Sequence, residues 1–226
     1  NMLELLKFLG NPQDQFPVIH VAGTNGKGST CALLASVFES AGFKTGLYTS
    51  PHIHRFSERI KIKGIEISED DMVRLTARMR GKIDALQCTF FEATTAMAFQ
   101  YFKENGIDIG IIETGLGGRL DATNVVQPEL SVITNIDFDH TEHLGKTISE
   151  IASEKAGIKP HIPCVVGKRE EASGVIFRKE AQAKHAELYF LDDVAEIRNM
   201  ELSMDGSCFD LKINWPWASV DLKHLL

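Results

Sequence analysis

The sequence lacks the features that mark several large classes of protein. Its 226 residues contain no apolar run long enough to cross a bilayer, no internal repeat and no low-complexity segment. The four cysteines lie far apart and form no metal-binding pair, which favours a reducing, cytoplasmic setting. A formal net charge of −7, with both signs interspersed, argues against non-specific binding to nucleic acid. We therefore expect a cytoplasmic protein whose partner is neither a membrane nor a nucleic acid.

Strand-like and helix-like segments alternate along most of the chain. Short β-prone runs predict strands over residues 17–22, 44–48, 107–112, 129–134, 162–166 and 187–191. Between them, apolar residues recur at helical spacing. This alternation predicts a three-layer α/β domain with a mostly parallel central sheet. Hairpins predicted over 58–67 and 200–213 add a small antiparallel portion.

A glycine-rich turn with one lysine follows the first predicted strand and opens a helix. The backbone N–H groups of such a turn, the helix N-terminus and the Lys27 ammonium together favour phosphate binding, which makes this a domain of the P-loop type. The residues concerned are Gly23, Thr24, Asn25, Gly26, Lys27, Gly28, Ser29 and Thr30. The spacing departs from the common P-loop, because Gly28 follows Lys27 where Ser or Thr is usual. The alternative is an ordinary strand–helix turn with a surface lysine.

Two polar positions follow neighbouring predicted strands. Ser50 lies in the loop after the second strand, and Glu113 ends the strand that begins near residue 107. The carboxyl ends of parallel strands meet at one sheet edge, so we expect both residues near Lys27. A carboxylate at this position holds Mg²⁺ or its water shell in P-loop enzymes. His52 and His54, in the same loop as Ser50, are better explained as solvated side chains.

A second cluster of possible metal ligands follows the predicted strand at 129–134. Two aspartates, two histidines and one glutamate occur within seven residues, namely Asp137, Asp139, His140, Glu142 and His143. The spacing of the histidines is a weak indication of zinc, since no pair of soft ligands accompanies it. With a nucleotide site already predicted, Mg²⁺ is the better candidate.

Four stretches in this order resemble one branch of a known superfamily. Residues 23–30 resemble the ATP loop of the Mur ligases. Residues 48–52 (YTSPH), 113–124 (ETGLGGRLDATN), and 137–140 (DFDH) with 154–157 (EKAG) resemble the folylpolyglutamate synthase family, including its bifunctional dihydrofolate synthases. The resemblance extends to about residue 190.

The resemblance implies an ATP-dependent ligase. ATP would phosphorylate a carboxylate of dihydropteroate or a folate, and the amino group of L-glutamate would displace phosphate from the acyl phosphate. It further implies that Ser50, Glu113 and His140 bind Mg²⁺. Lys27, His140 and Lys155 would be the catalytic residues, with Lys155 at a position where relatives carry a carbamylated lysine. The alternative for Lys155 is a lysine near a helix C-terminus, favoured there by the helix dipole.

For the pterin, the resemblance points to Phe91, Asp121 and Ala122. An aromatic ring can stack on a flat heterocycle, and a carboxylate can accept hydrogen bonds from ring N–H groups. Two alternatives stay open on the residues alone: Phe91 as part of the core, and the loop around Asp121 as a glycine-rich connector with a structural aspartate.

Members of this family continue into a second, smaller domain. We therefore expect residues 1–226 to be the ATP-binding domain alone, with a peripheral β region from about residue 190. Such a piece is expected to be a monomer that binds nucleotide but is inactive as a ligase. The alternatives are another Mur-type ligase that acts on a UDP-linked cell-wall precursor, a P-loop kinase or GTPase, and a binding-only module. The sequence does not separate dihydrofolate synthesis from extension of polyglutamate tails.

Overall fold

The central sheet is mostly parallel, as predicted. The computed structural model describes residues 1–137, 147–157, 159–204 and 206–215, and the backbone of 218–225. In this part of the chain, eight strands form one sheet in the order β4-β3-β2-β5-β1-β6-β7-β8. They are β1 (Val18–Ala22), β2 (Thr45–Tyr48), β3 (Ile60–Ile62), β4 (Ile65–Glu66), β5 (Ile109–Glu113), β6 (Leu130–Ile133), β7 (Cys164–Val166) and β8 (Leu188–Phe190). The hairpin β3–β4 is antiparallel and lies at one edge, where β3 also pairs antiparallel with β2. The other pairings, in the order β2-β5-β1-β6-β7-β8, are all parallel.

Helices cover both faces of this sheet. The described helices are α1 (Met2–Phe8), α2 (Lys27–Ser40), α3 (Glu69–Leu86), α4 (Phe90–Asn105), α5 (Ile148–Lys155), α6 (Glu171–Ala183) and α7 (Leu191–Val194). Val18 of β1 packs in a core with α3 and α4, while Ile19 of the same strand packs with α2 on the opposite face. All five residues of β5 are buried because helices cover both faces of the sheet. The predicted three-layer architecture is therefore confirmed.

Local capping explains where three of the helices begin. The Ser68, Thr89 and Thr147 side chains each accept a hydrogen bond from the backbone N–H three residues later. At Thr89 and Thr147 a glutamate at that later position bonds back, which completes a capping box. These starts follow from short-range sequence alone.

The C-terminal portion is larger than predicted. It is an antiparallel sheet of three strands, β9 (Ala195–Leu202), β10 (Ser207–Trp215) and β11 (Ala218–Leu225), with β10 in the middle. The predicted hairpin over 200–213 is present, but its first strand begins earlier and the third strand was missed. Nearly all residues of β9 are exposed, so this strand carries little of the hydrophobic pattern on which prediction depends. No helix in the described ranges is long and apolar enough to cross a membrane.

Candidate active site

The turn between β1 and α2 has the backbone shape of a phosphate-binding loop. Gly26 is the residue before α2 and has a left-handed conformation, with φ of 78°. Gly23 has φ of 142°, and a Cβ atom there would lie 1.9 Å from Thr134 Oγ1. The backbone conformation therefore favours glycine at both positions, and the contact with Thr134 requires it at residue 23. Lys27 is the first residue of α2, which directs the helix N-terminus toward the loop.

The segment after β6 holds this loop in place. The backbone N–H groups of Thr24 and Asn25 donate to the backbone and side-chain oxygens of Asn135, both at 2.9 Å. Thr134 Oγ1 donates to Asn25 O at 2.7 Å, and Thr24 Oγ1 bonds both the N–H and the carbonyl of Asp137. Thr134 and Asn135 were not among the site residues predicted from the sequence. The available signal was their position directly after a core strand, at the same sheet edge as the loop.

The two predicted catalytic lysines, Lys27 and Lys155, both donate to one carbonyl oxygen. Lys27 Nζ donates to Gly23 O at 3.0 Å and to Thr24 O at 3.1 Å. Lys155 Nζ donates to Gly23 O from the other side, at 2.9 Å, and its side chain is buried. Lys155 is thus the last residue of α5, as the alternative also expects, but its side chain is buried against the loop. Both ammonium groups thus contact the carbonyl oxygen of the first residue of the loop.

Ser50 and Glu113 are adjacent, as expected from their strands. The backbone N–H of Ser50 donates to Glu113 Oε2 at 2.9 Å, and Glu113 is only 3% exposed. Burial raises the pKa of Glu113, and the Ser50 N–H and the Lys27 charge oppose that rise. A Cβ atom on Gly28 would lie 3.7 Å from the carboxylate, so Glu113 faces the first turn of α2. The carboxylate and the loop thus share one edge of the sheet.

The predicted histidine ligand lies outside the described residues. This applies to His140 and also to Asp139, Glu142 and His143, so their roles as metal ligands stay predictions. Within the residues that the structure does describe, no group of three or more His, Cys, Asp or Glu side chains could hold a metal ion. Ser50 and Glu113 are then the described residues best placed to bind a hard cation, since hydroxyl and carboxylate oxygens are suitable ligands.

The three predicted substrate residues line one cavity. Phe91, Asp121 and Ala122 surround a space of about 670 Å³, together with Gly118 and Glu154 at its far side. Two of its lining residues contact Gly115, two residues after Glu113: Asp121 accepts from the Gly115 N–H, and the Phe91 ring packs against Gly115. The cavity therefore lies at the same sheet edge as Glu113. Its volume falls within the range of about 300–1,000 Å³ typical of small-molecule sites.

Phe91 serves both the cavity and the core. Its ring lies 6.2 Å from that of Tyr48, centroid to centroid, and it packs closely over Gly115. A Cβ atom on Gly115 would lie 2.5 Å from the Phe91 ring. The partly buried ring thus packs against the core and also forms part of the cavity wall, while contact between Phe91 and a pterin stays a prediction.

The Asp121 carboxylate is surrounded by donors from its own loop. Oδ2 accepts from the backbone N–H groups of Gly115 and Leu116, at 3.0 and 2.9 Å. Oδ1 accepts from Thr123 N at 2.9 Å and from Thr123 Oγ1 at 2.5 Å. Asp121 thus organises the wall of the cavity. Direct contact between Asp121 and a pterin stays a prediction.

His52 and Arg119 have structural partners. His52 Nδ1 accepts from Arg59 Nε at 2.8 Å, and Arg119 forms an exposed ion pair with Glu154 at 2.7 Å. The expectation that His52 has no role in the site stays a prediction.

A buried histidine of β1 forms a hydrogen bond with the loop that carries Asp121. His20 Nε2 lies 2.8 Å from Thr123 Oγ1, and the ring lines a small polar space that it shares with Lys155. Burial, with a smaller contribution from the Lys159 charge, lowers the pKa of His20 from 6.5 to about 3. In the unfolded chain His20 binds a proton below its ordinary pKa, whereas in the folded protein it stays neutral. Its contribution to stability is therefore complete above pH 6.5 and is lost as the pH falls toward 3.

We expect this loss to disappear in His20→Gln. Between pH 5.5 and 4, the free energy of unfolding of the wild type should fall more steeply than that of the variant, by about 1.4 kcal/mol per pH unit for one proton. Urea denaturation at several pH values measures both slopes. The matched control is His185→Gln, which changes an exposed histidine. Equal slopes in the wild type and in His20→Gln would show that His20 is protonated in the folded state.

The fold and the site together define an α/β domain with a modified phosphate-binding loop and an adjoining ligand-sized cavity. Comparison with known proteins assigns it further: the Mur ligase middle domain matches residues 21–224, and the chain belongs to the Mur ligase family.

The relatives of this chain are folate enzymes of that family. It is 45% identical over 219 residues to the dihydrofolate synthase/folylpolyglutamate synthase of Bacillus subtilis, covering 93% of this chain and 51% of the relative. It is 44% identical to the folylpolyglutamate synthase of Lacticaseibacillus casei, covering 80% and 44%. A solved FPGS–AMPPCP–folate complex superposes with a TM-score of 0.90 at 39% identity, covering 94% of this chain and 54% of that one. The chain thus spans about half the length of the relatives it matches.

Proposed function

We propose that the protein containing this chain is an ATP-dependent ligase that adds L-glutamate to dihydropteroate, to a folate, or to both. One observation carries the proposal: the phosphate loop with Lys27, the Ser50–Glu113 pair and the cavity lined by Phe91 lie together at one sheet edge. The relatives named for these two activities support it. A substrate that spans the cavity would place its carboxylate toward the loop.

The chemistry proceeds in two displacements. A carboxylate oxygen of the pterin substrate attacks the γ-phosphorus of ATP, and the bond to the β–γ bridging oxygen breaks to release ADP. The amino nitrogen of L-glutamate then attacks the acyl carbon, loses a proton, and displaces inorganic phosphate. Lys27 and the loop N–H groups would hold the β- and γ-phosphates and balance the negative charge of both transition states.

The residues at the loop suit a magnesium ion. Ser50 supplies a hydroxyl. Glu113 supplies a buried carboxylate, whose pKa burial raises and the Lys27 charge lowers. These are hard oxygen ligands, which Mg²⁺ prefers. Mg²⁺ would neutralise phosphate charge when bound. We propose Ser50 and Glu113 as ligands, and His140 as the third.

Carbamylation of Lys155 is a further proposal. Lys155 borders a small space of about 10 Å³ together with His20, Thr114 and Ser131. The hydroxyl oxygens of Thr114 and Ser131 are buried without a hydrogen-bond partner. After the ammonium loses one proton, Nζ would attack the carbon of CO₂ and lose a second proton, both to solvent, which leaves an anionic carbamate. Its oxygens could accept from such hydroxyls.

We expect Glu113→Gln to separate magnesium binding from folding. The variant should lose at least about 100-fold in turnover, because a metal ligand is removed. Its melting temperature without metal should be unchanged or higher, since the amide oxygen still accepts the Ser50 N–H and the variant buries no charge. Glu129→Gln, at an exposed position before β6, is the matched control. Thermal denaturation with and without Mg²⁺–ATP tests this, and a variant that Mg²⁺–ATP stabilises as strongly as the wild type would contradict the assignment.

The experiment that tests the proposed function follows ADP release by the protein at its natural length. ATP, Mg²⁺ and L-glutamate are supplied with dihydropteroate, tetrahydrofolate or a UDP-muramoyl peptide in turn. Turnover with dihydropteroate establishes dihydrofolate synthesis, and turnover with tetrahydrofolate establishes tail extension. Turnover with the UDP-linked substrate alone would assign the protein to a cell-wall branch of the family. No turnover with any of the three would refute the folate proposal.

We further propose that residues 1–226 alone form a monomeric, cytoplasmic nucleotide-binding domain without ligase activity. The support is that the matched relatives are about twice as long. Isothermal titration of this chain with Mg²⁺–AMPPCP should show binding, while the same sample should form no amide with dihydropteroate and L-glutamate. Measurable amide formation by these 226 residues would contradict the proposal.

A further inference from the structure

A hydrogen-bonded chain connects the core of the sheet to the cavity wall. It runs from His20 in β1 through Thr123 to Asp121, with distances of 2.8 Å and 2.5 Å between the bonded atoms. His20 and Thr123 are separated by 103 positions in the sequence, and both are buried. Asp121 is half-buried and lines the cavity. The hydrogen-bonded chain therefore joins a central strand of the sheet to the loop that lines the cavity.

The direction of each hydrogen bond follows from the chemistry of its members. An ionised carboxylate only accepts, so the single hydroxyl hydrogen of Thr123 points to Asp121 Oδ1. The remaining lone pairs of that hydroxyl then accept from His20, which must carry its proton on Nε2. The lowered pKa of His20 agrees with a neutral ring that has this one donor in place. The structure thus fixes one tautomer of a buried histidine.

The chain determines where the cavity wall lies. Asp121 bonds Gly115 and Leu116 with one oxygen and Thr123 with the other, so its carboxylate ties the two ends of the loop together. Four donors occupy about four acceptor positions, which leaves the carboxylate a single favoured orientation. If the Thr123 hydroxyl is removed, one of the four donors is lost and the Nε2–H of His20 is left unpaired in the core.

We infer that Thr123 and His20 are positioning residues, which hold Asp121 and its loop in the geometry that binds the flat heterocycle of the substrate. The inference rests on the proposed function for the identity of that substrate. Neither residue needs to touch the substrate, and neither bonds the phosphate loop in the described contacts. Their effect should therefore fall on affinity for the pterin and leave affinity for ATP unchanged.

The test compares Thr123→Val, which keeps the shape but not the hydroxyl, with Thr123→Ser, which keeps the hydroxyl. In the protein at its natural length, Thr123→Val should raise KM for dihydropteroate about 10-fold, with KM for ATP and kcat changed less than about twofold. Thr123→Ser should restore KM for dihydropteroate to within about threefold of the wild type. An unchanged KM in Thr123→Val would overturn the inference, as would equal losses in both variants.

A second measurement needs no variant to fold. Nitrogen-15 NMR of histidine-labelled wild type should show His20 as the neutral Nε2–H tautomer from pH 7 down to about pH 5, given its lowered pKa. A proton on Nδ1 would overturn the hydrogen-bonded chain. Wild-type protein without pterin turnover would refute the proposed function instead, and the tautomer would still decide whether the chain exists.

Discussion

Lys27→Met should lower kcat/KM for ATP by at least about 10³-fold while the protein stays folded. Lys27 is the lysine of the loop itself, and its Nζ reaches the carbonyls of Gly23 and Thr24 at 3.0 and 3.1 Å. An ammonium held at this point offsets the charge that develops on the transferred phosphoryl group. Methionine has a similar length but no charge, so the loop loses its cation without losing packing.

The effect of Lys27→Met is measured by ADP release from the protein at its natural length, with the melting temperature as a check on folding. The matched control is Lys179→Met, on an exposed face of α6 far along the chain, which should leave both quantities unchanged. If Lys27→Met kept more than about one tenth of the wild-type activity, Lys27 would not contact the phosphates in the transition state.

Gly23→Ala should destabilise the protein by about 3 kcal/mol or more and abolish nucleotide binding. The new Cβ atom would lie 1.9 Å from Thr134 Oγ1 and 3.1 Å from both Cβ and the backbone N of Thr134. Rotating the Thr134 side chain away would break its 2.7 Å hydrogen bond to Asn25 O. The backbone φ of 142° adds strain for any residue with a side chain.

Gly26→Ala is the matched control for Gly23→Ala. Gly26 lies in the same loop and also has a positive φ, 78°, but nothing lies within 4 Å of the position of its Cβ atom. Its substitution should cost only about 1 kcal/mol from backbone strain. Urea denaturation of both variants gives the two losses. Equal losses would show that backbone conformation alone, and not the contact with Thr134, requires glycine at residue 23.

Much of the fold was readable from the sequence because its signals are local. The strand, loop and helix around Lys27 occur in the predicted order, and the helices after Ser68, Thr89 and Thr147 begin at caps formed with residues three positions later. Strand β5 is a continuous apolar run since helices cover both of its faces. Strand β9 gave no such signal because it is mostly exposed, and its extent was underestimated accordingly.

The sequence by itself determined which chemical groups this protein has and which elements carry them: the loop with Lys27, the carboxylate of Glu113 at a strand end, and the capped helices. These features depend on neighbours a few residues apart, within reach of backbone hydrogen bonds and side-chain periodicity. Only the tertiary structure decided which groups meet. Lys155 reaches Gly23 across 132 positions, and His20 reaches Thr123 across 103. Such contacts are set by strand order and packing, because residues distant in sequence become neighbours only when the sheet assembles.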